Sequence, residues 1–291
     1  MVSPLHIATR NQNLGALKLL LEYGADINIQ DGRGATPLHY TAKSQWIEGL
    51  RFLHEKGANL NAEDGHGATL LLHAAVKGWL EGLKYLLEQG ANANCHDQHN
   101  TTPLYCAAVY GWIDGIKCLL EYNADVNKAA GDDGDTPLHI AVKRSLLGVV
   151  RVLIASGADV NAFDKRNNTP LVYATKNGWV DGLKFLLENG ADVTAVVGDS
   201  RETVLYVAVK NHLSGVLRLL LEHGVNVNTI AGEHRETVLH LAARHMLSDV
   251  LELLLQHGGY ANAMEGRSGK TPLHFAASQG SVASLQVSNL C

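Results

Sequence analysis

The stretch Thr136-Pro137-Leu138-His139-Ile140-Ala141-Val142, followed further on by Gly157-Ala158-Asp159-Val160-Asn161, decides the fold, because the chain repeats it. Ser3-Pro4-Leu5-His6, Thr36-Pro37-Leu38-His39, Thr102-Pro103-Leu104, Thr169-Pro170-Leu171 and Thr271-Pro272-Leu273-His274 stand in the same register. Thr69-Leu70-Leu71, Thr203-Val204-Leu205 and Thr237-Val238-Leu239-His240 complete the series with the proline replaced. The nine copies start at residues 3, 36, 69, 102, 136, 169, 203, 237 and 271, a period of 33 or 34, and the last is cut short. Self-similarity at that period means one supersecondary unit stacked on itself. Length alone would allow two domains, yet the unbroken period predicts a single array over residues 1–291.

Within one copy, Thr136 is placed to cap a helix by accepting a backbone N–H. All six prolines occupy the position after the cap, where a missing N–H costs nothing and a fixed φ suits the first turn. Leu138, Ala141 and Val142 form a short apolar stripe at helical spacing. A second helix carries Val149, Val150, Val152, Leu153 and Ile154 and ends at Gly157, a residue suited to the left-handed conformation. Glycine recurs there at 24, 57, 90, 190, 224 and 258, with Asn123 as the one substitute. Two short helices cannot bury their faces alone, so neighbours must stack. At about 8–10 Å per helix, nine copies would form a curved rod roughly 80–90 Å long.

The TPLHxA string, the two-helix spacing and the Gly-Ala-Asp-Val-Asn close resemble the ankyrin repeat over essentially the whole chain. The resemblance implies an all-α solenoid of helix–turn–helix units with projecting β-turn fingers. It also implies a role in binding other proteins. Asn28, Asn61, Asn94, Asn127, Asn161, Asn228 and Asn262 each follow a Leu by eight residues. That spacing resembles the site of asparaginyl hydroxylation known in ankyrin repeats. It comes with the fold, however, and the side chain is expected to hydrogen-bond within its turn.

The composition fits a soluble folded chain, with 46% apolar and 18% charged residues. A net charge of −5 argues against nucleic acid, which usually selects a basic domain. No apolar run is long enough for a membrane span. Met1-Val2-Ser3-Pro4 enters the first copy without a basic-then-apolar pattern, so no leader is expected. The cysteines Cys95, Cys106, Cys118 and Cys291 lack any paired spacing and are expected to be reduced thiols in an intracellular, cytoplasmic protein.

Catalysis needs a constellation that departs from the repeat, and none stands out, so a non-enzymatic protein without cofactor is expected. Gly266-Arg267-Ser268-Gly269-Lys270-Thr271 looks like the end of a phosphate loop, but Met264 replaces its first glycine. His6, His39, His139, His240 and His274 share one repeat position and read as hydrogen bonds tying finger to helix. Cys95-His96-Asp97-Gln98-His99, with His66 one finger earlier, holds zinc-type ligands. Fingers a repeat apart are too widely spaced for easy tetrahedral closure, so these read as solvated loop residues.

In a repeat protein the variable positions carry the site, and three patterns stand out. Trp46, Trp79, Trp112 and Trp179 each begin a second helix, with Gly49, Gly82, Gly115 and Gly182 three residues on. Glycine inside a helix costs about 1 kcal/mol relative to alanine. The indole is therefore expected to pack on the bare glycine, the alternative being an aromatic edge that anchors a partner. The second pattern is a ladder of cations at the end of the first helix. It comprises Arg10, Lys43, Lys77, Lys143 with Arg144, Lys176, Lys210, and Arg244 with His245. By analogy with ankyrin recognition surfaces these face the concave groove, and either they bind an acidic extended segment or they only solubilise a helix end. Third, the ladder breaks at the fourth copy, where Val109 and Tyr110 replace the cations just after Tyr105 and Cys106, an apolar patch suited to an anchor side chain.

Both ends look uncapped, Leu14, Leu17, Leu19, Leu20 and Leu21 at one and Ser288-Asn289-Leu290-Cys291 at the other. End-to-end self-association or a longer parent array is the expectation. The functional expectation is a protein-interaction scaffold using the groove and finger tips of copies three to six. The alternative is an anion-binding module for nucleic acid or phosphoinositide headgroups, resting on the ladder alone.

Overall fold

The computed structural model describes residues 1–278, all built from the expected helix pairs. They fall into two compact units, divided after Ala158. The expectations about the final residues, 288–291, lie outside the described residues.

The first unit holds five pairs. They are α1 (Pro4–Arg10) with α2 (Leu14–Glu22), α3 (Pro37–Ser44) with α4 (Ile47–Glu55), α5 (Leu70–Lys77) with α6 (Leu80–Glu88), α7 (Pro103–Val109) with α8 (Ile113–Glu121), and α9 (Pro137–Lys143) with α10 (Leu147–Ala155). The odd-numbered helices pack in sequence as an inner row, α1 on α3, α3 on α5, α5 on α7 and α7 on α9, and α4, α6, α8 and α10 pack likewise as an outer row. The core between the rows is the predicted stripe: Leu138, Ala141, Val142, Val150 and Leu153 are all fully buried. On the first pair, Ile7 and Leu19 remain exposed.

The second unit holds α11 (Pro170–Lys176) with α12 (Val180–Glu188), α13 (Val204–Lys210) with α14 (Ser214–Glu222), α15 (Val238–Arg244) with α16 (Ser248–Gln256), and α17 (Pro272–Ser278). Its inner row runs α11, α13, α15, α17. One finger forms a two-stranded antiparallel hairpin, β1 (Val196–Val197) against β2 (Glu202–Thr203).

Local chemistry explains the boundaries. The Thr69, Thr102, Thr136 and Thr203 hydroxyls accept the N–H three residues on. Where the fourth residue is His, its Nδ1 accepts the N–H of the capping residue, at 3.1 Å for His39 and 3.2 Å for His6 and His240. The other ring nitrogen reaches the next finger: His6 Nε2 lies 2.9 Å from the Ala35 carbonyl, and His240 Nε2 3.1 Å from that of Lys270. Each outer helix ends with a left-handed residue, Asn123 at φ 61° where the others have glycine.

The asparagines differ from their expected role. Their side chains reach across to the next copy rather than within their own turn. Asn94 Nδ2 donates to the Asn123 carbonyl, and Asp125 N–H donates back to Asn94 Oδ1. Asn228 does the same with Gly258 and Tyr260. What holds the turn in six of the copies is the residue two before, as where Asp125 Oδ1 accepts the Asn127 N–H. Fingers are also joined by backbone bonds, Gly65 N–H to Arg33 O, Gln98 to His66 and Gly131 to His99.

Candidate partner-binding surface

Two kinds of finger position the candidate residues. Where a copy begins 33 residues after the last, the finger carries an aspartate in its turn. Asp31, Asp64, Asp97 and Asp164 each accept two backbone N–H groups through Oδ1, from the residues two and four further on. This Asx-turn geometry fixes the carboxylate and leaves Oδ2 facing the helix that follows. That second oxygen accepts from Tyr40 in one copy, at 2.7 Å, and from Tyr173 in another. His73 Nε2 lies 2.8 Å from Asp64 Oδ2. Burial works against the Asp31 and Asp64 carboxylates, but these bonds hold both below the usual carboxylate range.

Where the spacing is 34, the turn aspartate is gone. In three of the four such fingers Gly131, Gly198 and Gly232 take its place with positive φ, and a carboxylate stands immediately before the capping threonine: Asp135, Glu202 and Glu236; the finger before Thr271 has Gly266 and Lys270 at these positions. The ladder cation of that copy closes on it. Lys143 Nζ is 2.7 Å from both Asp135 oxygens, and Lys210 Nζ is 2.7 Å from Glu202 Oε1. Arg244 grips Glu236 with both terminal nitrogens, at 3.1 and 2.6 Å. The Glu236 side chain is completely buried and also accepts from Tyr206 Oη. Burial first, then this carboxylate, pushes the Tyr206 hydroxyl well above the usual phenol range.

The ladder therefore divides. Lys77, Lys143, Lys176, Lys210 and Arg244 are each the last residue of an inner helix, and Arg144 caps α9. Lys143, Lys210 and Arg244 are engaged by their own fingers. Lys43 lies over the Tyr40 ring at 4.3 Å and Lys176 over Tyr173 at 5.6 Å. Lys77 and Arg144 are exposed, and among the described residues neither forms an ion pair with a carboxylate. In the first unit α5, α7 and α9 are neighbours, so Lys77, Val109 with Tyr110, and Lys143 with Arg144 lie along one edge. Tyr110 is 62% exposed, Tyr105 and Val109 are half-buried and Cys106 is buried.

The tryptophans sit one residue earlier than expected, as N-caps rather than first residues of the outer helices. Each indole covers its glycine: a Cβ at Gly49, Gly82, Gly115 or Gly182 would fall well inside contact distance of the ring. Trp46 is 8% and Trp79 4% exposed, while Trp112 and Trp179 are half-buried. In three of the four copies with long fingers the same two positions read Leu146 with Val149, Leu213 with Val216, and Leu247 with Val250. Bulk moves from one partner to the other, as a close-packed interior requires.

The histidines and thiol of the finger between the third and fourth copies do not converge. Cys95 Sγ lies 3.0 Å from Thr69 Oγ1, and burial pushes its thiol up. His99 instead faces Asp132 at 3.6 Å. Among the described residues no three His, Cys, Asp or Glu side chains form a metal-binding group, and no helix is long and apolar enough to cross a membrane.

The family model for ankyrin repeats matches residues 5–97, 80–164, 163–231 and 231–287. With that coverage, and the stacked helix pairs and fingers behind it, the chain belongs to the ankyrin-repeat family. Ankyrin repeats generally mediate protein–protein interactions and are typically non-enzymatic. No curated protein gives a significant match to the chain.

Proposed function

We propose that the chain is a non-enzymatic interaction module that binds a protein partner on its inner helices and finger tips. The observation that carries this is the exposed Tyr110 beside half-buried Tyr105 and Val109, an amphipathic patch on a row of helix ends otherwise charged. Aromatic groups of this kind dominate protein interfaces. Lys77 on one side and Arg144 on the other supply the cations for an acidic, extended segment. Attraction of that kind raises association rates and weakens with salt. The engagement of Lys143, Lys210 and Arg244 weighs against the anion-binding reading, since charge already neutralised at 2.6–2.7 Å adds little attraction for phosphate.

A photo-crosslinking amino acid at Tyr110 or Arg144, compared with one at the exposed Lys117 of outer helix α8, tests this in cell lysate. A discrete protein adduct at the first two positions and not at Lys117 is expected. Nucleic-acid or lipid adducts, or equal labelling at all three, would reject the proposal.

A further inference from the structure

The fourth copy lacks something its neighbours have. Asp31 and Asp164 take a donor from the fourth residue of the following helix, and Asp64 faces His73 there. In three of the four copies with long fingers the finger carboxylate takes a cation from the seventh. Asp97 takes neither. The fourth position is Cys106 and the seventh is Val109. Its Oδ1 holds the His99 and Thr101 N–H groups, at 2.9 and 2.8 Å, and among the described residues no side chain donates to it. Asp97 is only half-buried, so the carboxylate is reachable from outside.

The surroundings suit a long cationic side chain. Cys106 and Val109 make an apolar floor, with Tyr110 on the rim. Tyr105 forms the far wall, its hydroxyl 3.6 Å from where a Cβ on Gly131 of the next finger would stand. That finger carries Asp132 and Asp133. The proximity of Asp97 is felt at Cys106, whose thiol burial first, and this carboxylate second, push up to about 12. The molecule shows what fills such a place: Lys43 over a tyrosine ring, Lys143 and Arg244 on carboxylates.

Resting on the interaction reading above, we infer that the fourth copy binds an arginine or lysine of the partner segment, which supplies Asp97 with the donor its own helix omits. The stem lies on Val109 and Tyr105, and the charge meets Asp97 Oδ2 beneath Tyr110. Stems of Lys and Arg pack on apolar surface while their heads stay polar, and cations favour aromatic faces. Inner helices stand about 8–10 Å apart and an extended chain rises about 3.3 Å per residue. Residues about three before and three after the basic one therefore face Lys77 and Arg144, and acidic side chains fit there. The partner is then not uniformly acidic, but acidic around a basic centre.

A random dodecapeptide phage library, panned on the full chain, tests this. Peptides with a central Arg or Lys are expected, with acidic residues enriched about three positions to either side. Their affinity should fall about tenfold for Asp97→Asn, which keeps the turn acceptors but not the charge. Val109→Lys, which supplies the donor internally, should fall by a similar factor, while Lys117→Glu changes nothing. Thermal denaturation of each variant separates lost binding from lost folding, and Asp97→Asn serves if Val109→Lys is poorly folded. Peptides without a basic residue, binding indifferent to both substitutions, or failure to select any peptide would overturn the inference. Crosslinking at Tyr110 that still finds a protein would then leave the interaction reading standing without this anchor. Loss of both results would remove both.

Discussion

Helix pairs entered through a short finger differ from those entered through a long one at three linked places. The short finger has a turn aspartate, in all but the fourth copy a donor or ring at the fourth helix position, and a Trp–Gly pair on the outer helix, as in Asp31, Tyr40, and Trp46 with Gly49. In three of its four copies the long finger has a turn glycine, a carboxylate against the cap, a cation at the seventh position, and Leu with Val, as in Gly232, Glu236, Arg244, and Leu247 with Val250. One extra residue moves the carboxylate along the inner helix by about one turn, and the donor moves with it. The polar partner is thus chosen by the finger, not by the helix alone. A row of cations that looks like one binding ladder is in part a set of internal closures.

The largest effect should come from breaking a long-finger closure. Arg244→Met would leave the fully buried Glu236 with only the Tyr206 hydroxyl. Removing one partner of a buried pair costs about 3–5 kcal/mol. Urea denaturation should show that loss, and Arg244→Met with Glu236→Gln should recover much of it. The short-finger counterpart, Tyr40→Phe, removes one bond to a carboxylate nearer solvent and should cost only about 1 kcal/mol. Equal losses would remove the distinction between the two finger classes.

Acid should find a short-finger copy next. His39, 2% exposed, has its ring nitrogens committed to Thr36 and, at 3.3 Å, to the Ala68 carbonyl. Burial, then the charge of His73 (rings 5.5 Å apart), lowers its pKa to about 4. The unfolded chain takes that proton near 6.5, so the contribution is whole above pH 6.5, declines as pH falls and is spent below about 4. A shift of this size corresponds to about 3 kcal/mol. His39→Gln should flatten the stability curve between those limits while leaving the loss below 3.8, where Asp31 and Asp64 protonate. A curve unchanged by the substitution would mean another group sets the acid limb.

Third comes the outer helix. Gly49→Ala ought to gain about 1 kcal/mol from helix propensity, yet the new methyl would strike the Trp46 indole. Overpacking of this kind costs about 1–3 kcal/mol, so a net loss of about 1–2 kcal/mol is expected by calorimetry. Trp46→Leu with Gly49→Val, the pair used at Leu146 and Val149, should restore most of it. If the double change is as damaging as the single one, the two pairs are not interchangeable solutions to one packing problem.

Much of this architecture was legible in the sequence because it repeats. The period located the helices, Gly157 and its equivalents located their ends, and the shared His position located the finger bonds. The fate of the cations was not legible from helix rules, which pair residues three or four apart. Asp135 and Lys143 are eight apart, one on the finger and one at the helix end, and only the finger's conformation brings them together. A signal was nevertheless present. Sorting the copies by spacing, 33 against 34, separates Asp31, Asp64, Asp97 and Asp164 from Asp135, Glu202 and Glu236, and separates the Trp–Gly pairs from the Leu–Val pairs, with the copy at 271 as the exception. The asparagines misled for a related reason: a turn residue is read locally, whereas Asn94 and Asn228 spend their side chains on the next copy.

The smallest effect belongs to the copy that fits neither class. Repeat four has the short finger and the Trp112–Gly115 pair, but no donor for Asp97. Val109→Lys would place a cation where Lys43 and Lys176 stand in two of the other short-finger copies (the third has Val76 there), beside a carboxylate open to solvent. An exposed pair is worth about 0–1 kcal/mol, so thermal denaturation should show a gain of a few tenths of a kcal/mol. The sign matters more than the size. A gain would mean that the fourth copy forgoes stability its neighbours take, as a surface kept open for a ligand does. A clear loss would mean that Val109 is packed into the floor for structural reasons, and the open carboxylate would then be a by-product of that packing.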